Sequence, residues 1–372
     1  VLAWALGLVA FAAVAHPERC PTPSRAEALQ AAEDGVRWIA ANQSASGRFL
    51  YRWDRAHGEP QPGYVLARHA GTLLALAQAG AAGIEGASAA LDRGVSWALE
   101  RVVELPDGLG ALGSDSGSSA LLVAALVERR QATGATDHDA DLRRLGSFVL
   151  ASVEPDGAVA AEWDLAAQAP IPGTRSPFFT GEVLFALARL QRTFPDDRRW
   201  AEGARRVAHH LALSRDDEQR RFPPVSDHWA SYAYAELGRD LSVEDLAYAR
   251  RQAGLFGLQA RFESQRRRHG LARLTRGHEA LPAGLGTVGE GLGGIWRLTG
   301  ERPVPGVDRA TVSDRLACVA GMLVARQVHD PGEVQVDGAW FRGDVTQVDD
   351  QQHAVSALLA ALPVLPGRRG PA

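Results

Sequence analysis

The sequence predicts an all-α protein built as a ring of six helical hairpins. Three observations carry that expectation. Six segments repeat one pattern: a charged helix, a loop rich in Gly, Pro and aromatics, then a more apolar, Ala-rich helix. The second helix of each pair is apolar on nearly every side, whereas the first is two-faced, as a buried ring inside an exposed one requires. Strand alternation of useful length is missing; FLYRW (49–53) and AVAAEW (158–163) come nearest, and both fall between helices.

In chain order the first element is VLAWALGLVAFAAVA, residues 1–15, without a charge. It is short of the roughly 20 residues that span a bilayer. Ala13-Val14-Ala15 before His16 fits a small-residue cleavage site behind an apolar core. Residues 1–19 therefore read as a signal peptide or a membrane anchor, and both readings place the rest of the chain outside the cytoplasm. Cys20 follows at once, and the only other cysteine, Cys318, sits in the apolar run RLACVAGMLVA. An extracytoplasmic setting permits a disulfide between them. Two separate thiols, with Cys318 buried, is the alternative.

The first helices fall near 24–43, 84–104, 138–153, 197–213, 242–268 and 308–328. In the first of them Ala31, Val36, Ile39 and Ala40 recur close to i, i+3, i+4 spacing. The second helices fall near 68–80, 116–130, 180–192, 227–239, 288–300 and 352–363. Gly71, Ser118, Gly181, Ala230, Gly289 and Gln352 occupy equivalent places, at steps of 47, 63, 49, 59 and 63 residues. The sharpest match is Gly181-Glu182 against Gly289-Glu290, each pair expected to open its helix. Loops this variable argue against a regular open solenoid and for a closed (α/α)6 toroid with the second helices inside. No linker divides residues 20–366, which read as one domain. Residues 367–372 are expected to form a disordered tail.

Composition narrows the chemistry. Of 372 residues 40 are basic and 44 acidic, a net charge of −4, and every one of the 40 is arginine. Without lysine there is no Schiff base, no phosphate-loop lysine and no lysine general base. The mild acidity and the lack of a long basic block argue against nucleic acid as a partner. The short run Arg266-Arg267-Arg268 with His269 reads as the solvated end of an outer helix.

Trp38-Ile39, Asn42-Gln43 and Gly47-Arg48-Phe49 together resemble the Gln…Gly-x-aromatic repeat of the α/α-toroid proteins. Gln335-Val336-Asp337-Gly338-Ala339-Trp340 looks like the same element, and Pro155-Asp156-Gly157 and Pro106-Asp107-Gly108 like weaker copies. The resemblance implies a superfamily that holds terpenoid cyclases, prenyltransferase subunits and six-hairpin glycosidases, lyases and uronyl epimerases. It implies a fold and not a reaction. The acid motif of class II terpenoid cyclases is broken, since Gln347-Val348-Asp349-Asp350 lacks the first acid.

In such a ring the inner helices run in parallel and their N-termini meet at one mouth, where positive helix ends favour carboxylates and anions. The candidate catalytic residues there are Glu182, Asp227, His228, Glu290, Asp349 and Asp350. Candidate substrate-binding residues are Arg68, His69, Tyr51, Trp53, Tyr64, Phe179, Trp229, Tyr232, Trp340 and His353. Arg68 and His69 are adjacent, so one alone can point inward. Asp349 and His353, at i and i+4, have the spacing of a simple ion pair. The acids also have a plain reading as helix caps. His69, His228 and His353 are the histidines a metal would use, but no two-His motif such as HExxH occurs, and no metal or cofactor is expected.

The reading that follows is an exported or membrane-anchored glycan-processing enzyme, a glycoside hydrolase, lyase or uronyl epimerase, acting as a monomer on a glycan. Glu182 or Glu290 would serve as base, an acid of the 349–350 pair as proton donor, and His228 as orienting group. A lyase or epimerase would use a Tyr or His on the sugar C5 proton, with Arg68 holding the uronate. A non-catalytic toroid binding a peptide, glycan or protein is one alternative. A terpenoid-cyclase-like enzyme on a lipid is another, with the Gly-rich stretch GEGLGGIW making room for a cavity.

Overall fold

The computed structural model describes residues 2–15, 18, 20–220, 224–266, 273–274 and 277–367. His16, Arg267, Arg268, His269 and tail residues 368–372 lie outside the described residues.

The chain opens with α1 (Leu2–Ala15), whose Leu2, Trp4, Leu8 and Phe11 are exposed. No helix among the described residues is long and apolar enough to cross a membrane. Cys20 and Cys318 form a disulfide, which ties the segment after α1 to an outer helix.

Among the described residues, twelve longer helices then alternate between two layers. The outer layer is α2 (Arg25–Ala41), α4 (Ala87–Leu99), α6 (Asp139–Ala151), α8 (Arg198–Leu213), α11 (Val243–Gln265) and α13 (Arg309–Arg326). The inner layer is α3 (Leu66–Ala81), α5 (Ser116–Thr133), α7 (Phe179–Thr193), α10 (His228–Leu237), α12 (Pro282–Glu301) and α14 (Val348–Ala361). A short α9 (Arg215–Gln219) sits between α8 and α10. Each inner helix packs against the next, and α14 packs against α3, so the ring is closed. Ser24, Asp197, Ser242 and Asp308 cap four outer helices through side-chain oxygens, a sequence-encoded start for each.

Inner residues such as Leu73, Leu76, Leu122, Leu184, Leu187 and Leu358 are fully buried. Each contributes about 1.5–3 kcal/mol of transfer free energy. The inner helices approach closely because glycine stands at their contacts. A side chain at Gly71 would overlap Gln352 of α14, and one at Gly294 would overlap the backbone at Ser231 of α10. The glycines of GEGLGGIW are thus filled by neighbours, Gly291 by the Phe256 ring and Gly289 by Ala357. The space expected there for a lipid is taken up by helix packing.

The Gln…Gly-x-aromatic element has a physical role. Gly47, Gly157 and Gly338 all take positive φ, and each lies against a backbone carbonyl of another outer helix, at Arg93, Arg206 and Asp34. A Cβ at any of them would collide with that carbonyl, so only glycine fits. Pro106-Asp107-Gly108 is different: it turns the hairpin of β3 (Val102–Leu105) and β4 (Leu109–Leu112), which the sequence did not suggest. The expected strand candidates are realised as short pieces, β1 (Arg52–Asp54) and β5 (Trp163–Asp164). β1 pairs with β2 (Glu59–Pro60) and with β7 (Val345–Gln347), while β5 pairs with β6 (Ala169–Pro170).

Candidate active site

The segments leading into the inner helices are long and those leaving them are short, so all six inner N-termini lie at one end of the ring. In ring order α7 is third and α14 sixth, which sets their first turns on opposite sides of the mouth.

One side is acidic. Asp115 caps α5, taking the Ser118 amide at 2.6 Å and the Ser118 hydroxyl at 2.8 Å. Asp227 caps α10 through the Ala230 amide at 2.9 Å and receives Arg215 Nη1 at 2.5 Å. Arg215 also donates to the Tyr248 hydroxyl, 2.6 Å away. Between them, in the first turn of α7, stands Glu182, pressed against Gly117 of α5. Its Oε2 is buried and has no hydrogen-bond partner among the described residues. Burial, reinforced by the charges of Asp115 and Asp227, raises the Glu182 carboxyl well above its ordinary range. Burial also raises Asp115 and Asp227, in the latter case against the pull of the Arg215 guanidinium.

The opposite side is a polar lattice around Arg68. Its Nε lies 3.2 Å from Asp349 Oδ2, and its Nη1 donates to Gln347 Oε1 at 2.9 Å and to the Tyr51 hydroxyl. Gln347 Oε1 also accepts from Arg52 Nη2 at 3.2 Å. Asp349 Oδ1 has no partner among the described residues, although the side chain is only 13% exposed. Asp350 is occupied differently. It accepts from the Gln347 and Ala283 amides, both at 3.0 Å, and so binds the start of α14 to the start of α12. Burial and the neighbouring Asp349 charge push its carboxyl up to about 7.

Deeper in the ring, His353 Nδ1 lies 2.6 Å from Glu290 Oε2, and the Tyr232 hydroxyl donates to Glu290 Oε1 at 3.3 Å. His228 Nε2 approaches the same Oε2 to 3.8 Å. Burial raises Glu290, and it opposes charge on His353 too, but the adjacent Glu290 outweighs it and the imidazole is raised. Burial lowers His228 well below the usual imidazole range.

The structure thus gathers Glu182, Asp227, His228, Glu290, Asp349, Asp350, Arg68, Tyr51, Tyr232, Trp229, Phe179 and His353 around the ring's mouth and upper core. Several sit otherwise than the pattern suggested. Glu290 does not open its helix: α12 starts at Pro282, so Glu290 lies more than two turns inside. Gly286 lies inside the helix, where the close approach of the His353 backbone leaves no room for a side chain. Asp349 and His353 do not pair with each other; Arg68 takes the first and Glu290 the second. His69 points outward, bonded to the Gly94 carbonyl at 3.0 Å and to the Tyr64 hydroxyl at 2.7 Å, and packed on Trp97. Trp340 is fully buried, its indole donating to the Leu323 carbonyl. Trp53 lies on β1 with its indole nitrogen buried.

Asp115 and Arg215 were not singled out by sequence, and Gln347 was noted only as the place where an acid is missing. Asp115 carried a readable signal, an acid directly before Ser-Gly-Ser-Ser at a helix start. Arg215 carried none, since its partner is reached only through the folded loop.

No protein-family model and no curated protein matches the chain. Solved structures do. The α-1,6-mannanase of Salegentibacter sp. HEL1_6 superposes with a TM-score of 0.64 at 11% identity, covering 91% of this chain and 99% of that one. An unsaturated glucuronyl hydrolase specific for heparin gives 0.64 at 11% identity, covering 91% and 98%. A type II terpene cyclase from Scytonema gives 0.53 at 14%, covering 92% and 99%. These likenesses establish the α/α-toroid fold.

Proposed function

We propose that this α/α-toroid protein is a glycan-processing enzyme of the glycoside hydrolase type, with Glu182 as general acid and Asp349 as its opposing carboxylate. The observation that carries the reading is a selective one. Among the candidate catalytic acids, Asp227, Asp350 and Glu290 spend both oxygens on caps, cations or hydrogen bonds. Glu182 and Asp349 each keep a buried oxygen without a partner, and they sit on opposite sides of one mouth. Hydrolysis of a glycosidic bond needs one carboxyl that holds its proton and one that does not. Glu182, raised by burial and two acidic neighbours, suits the donor. Asp349, paired with Arg68, suits the base or nucleophile. This exchanges the roles expected from sequence.

The solved mannanase has an inactive variant in which two consecutive aspartates are replaced by asparagine and which was captured with α-1,6-mannotriose. Asp349-Asp350 is a consecutive pair at this mouth, Asp349 keeping an oxygen without a partner among the described residues and Asp350 serving as a cap. An acidic sugar is a second reading of the substrate, favoured by the Arg68 and Arg52 pair and by the buried, unpartnered Nε of Arg52. We also propose that α1 serves export or anchoring, which the disulfide supports.

The test is turnover of a panel of neutral α-mannooligosaccharides and uronate-ended oligosaccharides by the wild type, Glu182→Gln and Asp349→Asn. Turnover of one class that falls by about 10²–10⁴ in both variants supports the reading. Turnover unchanged in either variant removes that residue from the mechanism.

A further inference from the structure

We propose that His228, Glu290 and His353 form a binding site for one divalent first-row transition ion, zinc by its donor set, in the core of the ring below the mouth. Three consecutive inner helices, α10, α12 and α14, each supply one ligand. The donor atoms all lie within 4.8 Å of one another. Donors on a tetrahedron with bonds of about 2.0–2.1 Å stand about 3.3 Å apart. The observed separations from Glu290 Oε2, 2.6 Å to His353 Nδ1 and 3.8 Å to His228 Nε2, bracket that value. Bringing those two separations to that value changes them by about 0.7 and 0.5 Å, within the reach of side-chain rotation.

The independent pointer is His228. Its side chain is 4% exposed, its Nε2 is buried without a hydrogen-bond partner among the described residues, and that atom is aimed at Glu290. A buried polar atom left unsatisfied costs about 1–3 kcal/mol, and a metal at this point would satisfy it. Two imidazoles and one carboxylate suit zinc and its neighbours rather than calcium or magnesium, which take oxygen ligands. Tyr232, donating to the other Glu290 oxygen, holds the carboxylate in place as an outer partner does at such sites. A three-ligand set leaves one coordination position open.

A second trio, Asp156, His210 and Glu218, also brings its donor atoms together, but two of its members are exposed. It serves as the internal control. Full-chain protein stripped with a chelator and titrated with Zn²⁺ is expected to bind one ion tightly, and Co²⁺ in its place to give the intense visible bands of a low-coordinate site. His228→Ala and His353→Ala are each expected to weaken binding by more than about 100-fold, beyond the effect of an outer-partner change. His210→Ala leaves it intact. Glu290→Gln, nearly isosteric, is read alongside, with circular dichroism confirming the fold of each variant. A chain that binds no ion, or binds it equally in His228→Ala, overturns the proposal. The readout is metal binding, so it stands or falls apart from glycan turnover.

Discussion

Arg215 and Asp227 form an ion pair in which each side chain is only 1% exposed, closing the joint between α9 and the N-terminus of α10. Neither group has water to fall back on. Arg215→Ala is therefore expected to lower stability by about 3–5 kcal/mol, because it leaves the Asp227 carboxyl buried without its cation. Chemical denaturation of the two proteins measures this. A loss below about 1 kcal/mol would show the pair to be dispensable.

The alkaline limb of the pH profile belongs to Glu182. As the proposed proton donor it would work while protonated, so on that proposal kcat/KM is expected to hold through the ordinary carboxylate range. It then falls as pH rises through the elevated Glu182 value. Stability follows the same group. Its folded pKa is raised, so the native state keeps a proton that the unfolded chain releases, and stability drops as pH rises from the unfolded to the folded value. In Glu182→Gln the alkaline limb should vanish and that slope should become shallower, the raised Asp115, Asp227, Glu290 and Asp350 carboxyls still contributing to it. Equilibrium unfolding measured across pH checks the second point.

Gly117→Ala tests the placement of Glu182 without touching its chemistry. The added methyl would collide with Glu182 Oε2 and with the Phe179 ring. Both are side chains that can give way, so the fold should survive with a cost of about 1–3 kcal/mol. Turnover is expected to fall by at least about tenfold, since the donor oxygen is displaced. A fully active Gly117→Ala protein would place the donor elsewhere.

Removing the disulfide with Cys20→Ser and Cys318→Ala is expected to lower stability by about 2–5 kcal/mol. The bond joins residues 298 apart and lies on the outer layer, away from the mouth. Turnover by the folded variant should be unchanged within twofold.

The ring was legible because burial is written into composition: inner helices such as α3 and α5 carry apolar residues all round, which only a double-layered ring can hide. That one alone of Arg68 and His69 could point inward was legible from adjacency, but which one was not. Glu290 was misplaced because a Gly-rich helix start violates helix propensity, and tertiary contact with His353 overrides it. The division of the acids into spent and unspent was not legible. Whether an aspartate caps, as Asp350 does for the Ala283 amide, or stays uncommitted like Asp349 depends on a helix 67 positions away.

The pairing of β1 with β7, with Arg52 opposite Gln347, joins segments 295 positions apart and closes the mouth around Arg68 and Asp349. Contacts of that sequence separation form late, because the entropy of closing so large a loop must be met before they contribute anything. A ribosome-bound chain lacking its sixth hairpin would present an unsealed gap between α3 and α12, with the apolar flanks of both helices bare. The mouth and the cover for those flanks are therefore expected to be completed together, once the sixth hairpin is in place.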